Sequence, residues 1–305
     1  MVISAKVAKG IMQKKLLHKK NPQFLIQHSV ENLQVAGNKA NPQHIKNYRL
    51  ANEFQIVTPI KPDIFKQYLV GYDPHKTEFW IGGFKYGFKI PFEGEHKFDF
   101  NKNLKSAIEN SQILKEKINK ELVAGRVEGS FARPPFENFR VSPPGVVPKA
   151  KAGEYRIIHH LSSPHGSSIH DSIRPDCKSV RYQSIDLACQ LILKFGRKCM
   201  LSKINVEHAY KLVPVHSSDF HLLGFTFDDG YYFDKTLPMG LSHSCSLFTS
   251  FSNAIHWIAE NKLGIHGCIH VLDDFLFIVP PPKQLDKFTI FLEYVRKHRF
   301  TNKGR

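Results

Sequence analysis

Five stretches of the chain carry the apolar pattern or the start and stop signals of helices. They run over Lys61–Leu69, Ser111–Ala124, Ser184–Phe195, about 242–260, and Lys283–Lys297. In the second, Ile113, Leu114, Ile118, Leu122 and Val123 fall at helical spacing, and Gly125 is a natural stop. In the third, Ile185, Ala188, Leu191 and Ile192 share one face. The aromatic run Phe79–Phe88 is expected in the core rather than as a base-stacking platform, because it continues into the alternating Phe88-Lys89-Ile90.

Between these stretches the pattern shortens to strands. Pro134, Pro135, Pro143, Pro144 and Pro148 forbid a long helix. Gly145–Val147 and Tyr155–Ile158 read as two strands about a turn at 149–153. Cys199–Ile204 reads as a buried strand ending at Asn205. Leu222–Phe227 and Tyr231–Thr236 flank Asp228-Asp229-Gly230, a strong hairpin signal. Ile269–Leu272 and Phe275–Val279 are apolar runs joined at Asp273-Asp274. This mixed order predicts an α+β chain built on one sheet.

Composition changes the picture mainly through charge. The 305 residues, 42% of them apolar, suffice for two ordinary domains or one large one with an extension. The net charge of +16 favours a polyanionic partner. Residues 1–50 hold nine Lys/Arg against Glu31 alone, which is 9 − 1 = +8, half of the total. They read as a disordered basic arm, able either to touch nucleic acid or to remain a solvated tail. Five cysteines without a CxxC pair argue against a disulfide framework. With no membrane span expected either, the expected setting is intracellular, in cytoplasm or nucleus.

The sharpest local chemistry is Asp273-Asp274. Strands deplete Asp, and two like charges at one turn are unfavourable unless a cation neutralises them. A hard cation such as Mg²⁺ takes carboxylate oxygens and leaves room for phosphate. An ordinary Asp-Asp turn is the competing reading, and Asp228-Asp229 is one such turn. His266, Cys268 and His270 have ligand chemistry but project from one side of a strand, without a second cluster to complete a zinc site. Gly82-Gly83 lacks the Lys-Ser/Thr of a phosphate loop, and no nucleophile elbow supports hydrolysis.

The acidic pair has company in a fixed order. Lys149 and Tyr155-Arg156-Ile157-Ile158-His159-His160 come first, then Ser202–Tyr210, then Leu237-Pro238-Met239-Gly240-Leu241-Ser242, then Val271-Leu272-Asp273-Asp274. Val141-Ser142-Pro143, Pro214-Val215-His216 and Phe220–Phe225 accompany them. The series resembles reverse transcriptases, and more narrowly the polymerase region of retrotransposon polyproteins of the DIRS-like type. It covers about 131–280, and 51–130 resembles the region upstream.

The resemblance implies a right-hand polymerase fold. An N-terminal extension would comprise the basic arm at 1–50 and a small mixed segment at 51–130. Fingers would follow at 131–200 and a truncated palm at 201–305, with the thumb missing. It further implies Mg²⁺-dependent addition of dNTPs to a primer 3′ end on an RNA or DNA template, using two Mg²⁺ ions. Lys149 and Arg156 would grip the triphosphate, Tyr210 would block a ribose 2′-hydroxyl, and Met239 and Gly240 would lie under the base and nucleotide. Asp273 would bridge the metals, Asp274 would assist, and Val206 would offer its backbone carbonyl.

One residue departs from the pattern. Where the family has Asp, this chain has Asn205, whose single neutral carbonyl oxygen replaces a charge and two acceptor oxygens. Two ions would face one carboxylate fewer, so the copy is expected to be slow or inactive. Glu207, two positions on, points to the same side of a strand as Asn205 and could substitute, with its longer arm and offset position against it. The alternative reading is a non-catalytic nucleic-acid-binding relic.

Overall fold

The computed structural model describes residues 55–280; the basic arm at 1–50 and the helix expected over 283–297 lie outside the described residues. The first helix, α1 (Pro62–Tyr68), begins with Pro at its first turn, carries Asp63 there and Lys66 in its last turn, and buries Phe65. Both charges complement the helix dipole. Helix α2 (Pro74–Tyr86) occupies most of the aromatic run. Asp73 caps it by accepting the Lys76 N–H at 2.9 Å. Trp80, Gly83 and Phe84 form its buried face, a spacing of three and four that the Gly82-Gly83 pair masks in the sequence. Gly83 is there for packing, since a Cβ would lie 2.0 Å from the Phe88 ring.

Strand β1 (Asp99–Phe100) and helices α3 (Lys105–Glu109) and α4 (Ser111–Val123) follow. Leu114 and Ile118 are buried in α4, whereas Val123 is 92% exposed. Five positions beyond Ile118 is about 140° round a helix, so Val123 leaves the face the sequence assigns it to. Next come β2 (Val127–Phe131), β3 (Arg140–Val141), β4 (Pro144–Pro148) and β5 (Tyr155–His159). Helix α5 (Ile185–Phe195) buries Ala188 against the sheet, but Ile185 in its first turn is exposed.

The remaining elements are β6 (Met200–Asn205), β7 (Gly224–Phe227), β8 (Gly230–Asp234), α6 (Ser242–Asn261), β9 (Cys268–Val271) and β10 (Asp274–Val279). The hairpin β7–β8 turns at Asp228 and Asp229, both with positive φ (49° and 58°), the geometry of a type I′ turn.

The mixed α+β character is as expected, but the single sheet is not. The strands form a five-stranded sheet in the order β1-β3-β7-β8-β2, a three-stranded sheet β6-β10-β9, and the separate hairpin β4–β5. Nor is β6 a buried strand. It pairs only with β10, and Leu201 is 56% exposed. Cys199–Ile204 is apolar enough for a central strand, yet it lies at the sheet's edge with cover on one side.

Helix α6 ties the largest core together. Phe248, Phe251, Ala254 and Ile258 pack into a cluster with Phe65, Trp80, Phe84 and Phe88. The rings of Phe84 and Phe88 meet edge to face at 5.2 Å, and Phe251 sits 5.3 Å from Phe84. Along the same buried face α6 also supports the three-stranded sheet, where Ala259 joins Phe275, Phe277 and Val279. The acidic turn is therefore mounted on a rigid helix. Among the described residues no helix is long and apolar enough to cross a membrane.

Candidate functional site

The site is built at one end of the three-stranded sheet. Antiparallel pairing places Asp274 opposite Asn205 on one side and opposite Val271 on the other. The two-residue turn Leu272-Asp273 links β9 to β10, with Leu272 at φ +52°. That conformation is unfavourable for a branched residue and persists only where the surroundings fix it. Two hydrogen bonds do so: the buried Ser252 hydroxyl of α6 donates to the Leu272 carbonyl at 2.7 Å, and the Val206 N–H donates to the Asp273 carbonyl at 2.9 Å.

The side chains then converge. The Asn205 amide nitrogen donates to Asp273 Oδ2 at 3.2 Å and to Asp274 Oδ1 at 2.9 Å. Lys203, two residues earlier on β6, places its ammonium 3.2 Å from Asp274 Oδ2. The amide orientation follows from chemistry, because its oxygen turned toward two carboxylates would be repelled. The Asn205 hydrogen bond, opposed by partial burial and helped by Lys203, holds the Asp274 carboxyl below the usual range. Lys203 is a member of the site that the sequence reading leaves out. Strand alternation was the available signal, since residues 203 and 205 share a face.

The strand stops at Asn205, and Glu207 falls in the following turn beside His208 at φ +55°. The alternation that would put Glu207 on the Asn205 side therefore does not extend to it. Tyr210 lies in a short 3₁₀ turn (Ala209–Leu212). Its hydroxyl is 3.0 Å from the Cys245 thiol of α6, and its ring packs edge to face on Phe248. Burial, then the Cys245 contact, then the charges of Cys245, Tyr182 and Asp273 push the phenol pKa up. Tyr210 thus packs on α6, near enough to the acidic turn to feel the Asp273 charge.

A second group of residues gathers where β5 meets the segment leading into α6. Arg156 is exposed on β5, with Nη1 4.0 Å from the Met239 sulfur. The His159 N–H donates to the Met239 carbonyl at 2.8 Å. Gly240 has φ +118°, and a Cβ there would fall 2.1 Å from the His159 carbonyl oxygen, so only glycine fits. The Ser242 N–H donates to His170 Nε2 at 2.9 Å, so the proton of His170 is on Nδ1, facing the Ser162 hydroxyl at 2.7 Å. Burial lowers the His170 pKa, consistent with this neutral tautomer.

Lys149 is differently placed. It sits in the β4–β5 turn, 3.4 Å from Glu154, which Lys151 also contacts at 2.8 Å. Arg156 is the cation directed at Met239, while Lys149 is partly neutralised within its own hairpin.

Two carboxylates, one amide and one ammonium do not fit a pair of divalent ions. Three of the four carboxylate oxygens already accept hydrogens from Asn205 or Lys203. Among the described residues no three His, Cys, Asp or Glu side chains gather to hold a metal. Cys268 and His270 are buried in the sheet, with His270 Nε2 3.2 Å from the side-chain oxygen Oδ1 of Asn253.

No protein-family model matches the chain, and no curated protein matches it. Solved structures do. A foamy viral protease-reverse transcriptase in complex with double-stranded DNA superposes with a TM-score of 0.52 at 14% identity, over 79% of this chain and 43% of that one. The same kind of enzyme in complex with an RNA/DNA hybrid gives a TM-score of 0.51 at 14% identity, over 78% of this chain and 32% of that one. The fold resembles that of a reverse transcriptase. The chain spans less than half the length of either structure.

Proposed function

We propose that this chain is a nucleic-acid-binding domain of reverse transcriptase type, whose polymerase centre is idle as it stands. The observation that carries the reading is the convergence of Asn205, Asp273 and Asp274 from two paired strands at the sheet end. The ordered motifs support a retrotransposon polyprotein of DIRS-like type as its source, with fingers formed by 131–200 and palm by the residues that follow. The bound species is an RNA or DNA template with its primer. Its phosphates would meet a chain of net charge +16. Arg156, Met239 and Gly240 form the surface where an incoming dNTP would rest, with the Arg156 guanidinium suited to phosphate oxygens. Tyr210 would stand behind the sugar.

Templated addition with Mg²⁺ belongs to a form of this site with Asp at 205. Two ions held about 4 Å apart require carboxylates from both strands, and this chain offers them from one only. The test is fluorescence anisotropy of the full chain with a labelled RNA–DNA primer–template in chelator. Binding is expected, with log K falling linearly in log salt by about 0.9 for each phosphate contacted. Absent or salt-insensitive binding would sink the proposal. A primer-extension assay is expected to show no synthesis by the chain as it stands.

A further inference from the structure

We infer that Asn205 and Lys203 act as a built-in replacement for the metal ions of the acidic turn, so that this chain holds Asp273 and Asp274 together without any divalent cation. The inference deepens the polymerase-type reading of the 205/273/274 cleft. It does not depend on nucleic-acid binding.

Two carboxylates presented by adjacent residues at a turn repel, and something must offset that repulsion. In this chain the offset comes from inside. One amide nitrogen lies between the acids, 3.2 Å from Asp273 and 2.9 Å from Asp274, and one ammonium sits 3.2 Å from the far oxygen of Asp274. The amide has two N–H groups, one for each acid. The set of two carboxylates and one ammonium carries −2 + 1 = −1. With Asp at 205 it would carry −3 + 1 = −2, and the bridging hydrogens would be gone.

A divalent ion approaching the two acids would find the oxygens that face Asn205 already bonded to its N–H groups. To admit it, Asn205 must turn its oxygen inward, which breaks both hydrogen bonds and supplies one neutral ligand. Mg²⁺ demands near-octahedral oxygen donors at about 2.1 Å and sheds water reluctantly. The rigid mounting of the turn, by Ser252 on Leu272 and Val206 on Asp273, limits any compensating shift of the acids. The same mounting means that the turn needs no ion to keep its shape. Asn205 and Lys203 are positioning residues in this arrangement.

The test is Mn²⁺ titration of the full chain without nucleic acid, followed by the electron paramagnetic resonance of free Mn²⁺ and by thermal unfolding. The chain as it stands is expected to show no saturable site at the turn up to millimolar Mn²⁺. Asn205→Asp is expected to gain one, saturating at least tenfold below the highest Mn²⁺ concentration at which the parent shows none, and Asp274→Asn in the same background removes it. Asn205→Ala removes the amide without adding charge. It should unfold at lower temperature than the parent and recover part of the loss with Mn²⁺, which the parent should not. Parent binding that survives the Asp273→Asn/Asp274→Asn double substitution lies elsewhere and leaves the turn ion-free, as inferred. Saturable parent binding abolished by that double substitution overturns the inference, as does failure of both Asn205 variants to gain Mn²⁺ response. Loss of nucleic-acid binding alone would bear on the proposed function and leave this result untouched.

Discussion

Two of the charge groups that neutralise carboxylates contrast sharply, one buried and one open to water. At the buried place Asp234 of β8 faces Lys211 at 2.7 Å and His159 at 3.2 Å. Lys211 in turn lies 4.0 Å from Glu121, whose carboxylate is held at 2.7 Å by Arg126. Burial works to raise the Asp234 pKa, but the Lys211 charge and the His159 hydrogen bond outweigh it and the carboxyl is held low. At the open place Asp274 and Lys203 are 44% and 66% exposed. Both groups satisfy their charges, yet the first is expected to matter far more to folding, because water already solvates much of the second. Charge pairing at depth holds this fold, and charge pairing at the sheet end shapes a site.

The largest expected effect would break that contrast if it failed. Lys211→Met leaves Asp234 buried with His159 as its remaining partner, and should lower the unfolding free energy by about 3 kcal/mol in a denaturant titration. A loss below about 1 kcal/mol would place the two charge groups on the same footing.

Acid supplies the next largest effect. Burial first, and then His256, lower His270 to a pKa of about 4 from an ordinary 6.5. The unfolded chain therefore takes up the proton first as pH falls. Stability from this group is fully present above pH 6.5, declines between 6.5 and 4, and is flat below. The loss should reach about 2 kcal/mol after allowance for screening. His170, His216 and His243 are lowered too, all led by burial, and act in the same direction. Unfolding measured at pH 7 and pH 4.5 should show a smaller difference in His270→Gln than in the parent.

Ser252→Ala strips the Leu272 carbonyl of its buried donor and should cost about 1 kcal/mol, read by the same titration. Lys203→Ala should be the mildest, within about 0.5 kcal/mol of the parent, since it removes an exposed partner. A Lys203 effect as large as that of Lys211 would show that the open group also carries the fold.

Much of this could be read from the sequence, for local reasons. Carboxylates between apolar runs mark the turn at Asp228-Asp229 and the joint at Asp273-Asp274, which in the structure falls one residue earlier at Leu272-Asp273, and spacing with Gly125 marks helix α4. The meeting of residues 205 and 274 followed from ordered motifs, not from any local pattern. Helix α2 is hidden because its aromatic run leads into the alternating Phe88-Lys89-Ile90, while Gly83 within it is a packing choice made by Phe88. The exposure of β6 escaped because an apolar strand looks the same at an edge as at a centre. Asn205 was visible as a departure, but its role was not. That a neutral amide would lie between two acids depends on register, and register between distant strands is set by tertiary packing.

Gly240 has one further consequence. The backbone oxygen of His159 occupies the space where any side chain at 240 would begin, so the β4–β5 hairpin and the approach to α6 touch main chain to main chain, with no compressible group between them. Neither backbone has room to close on the other, so a shift of the hairpin toward residue 240 has to move both, and with them the arginine and the methionine it abuts.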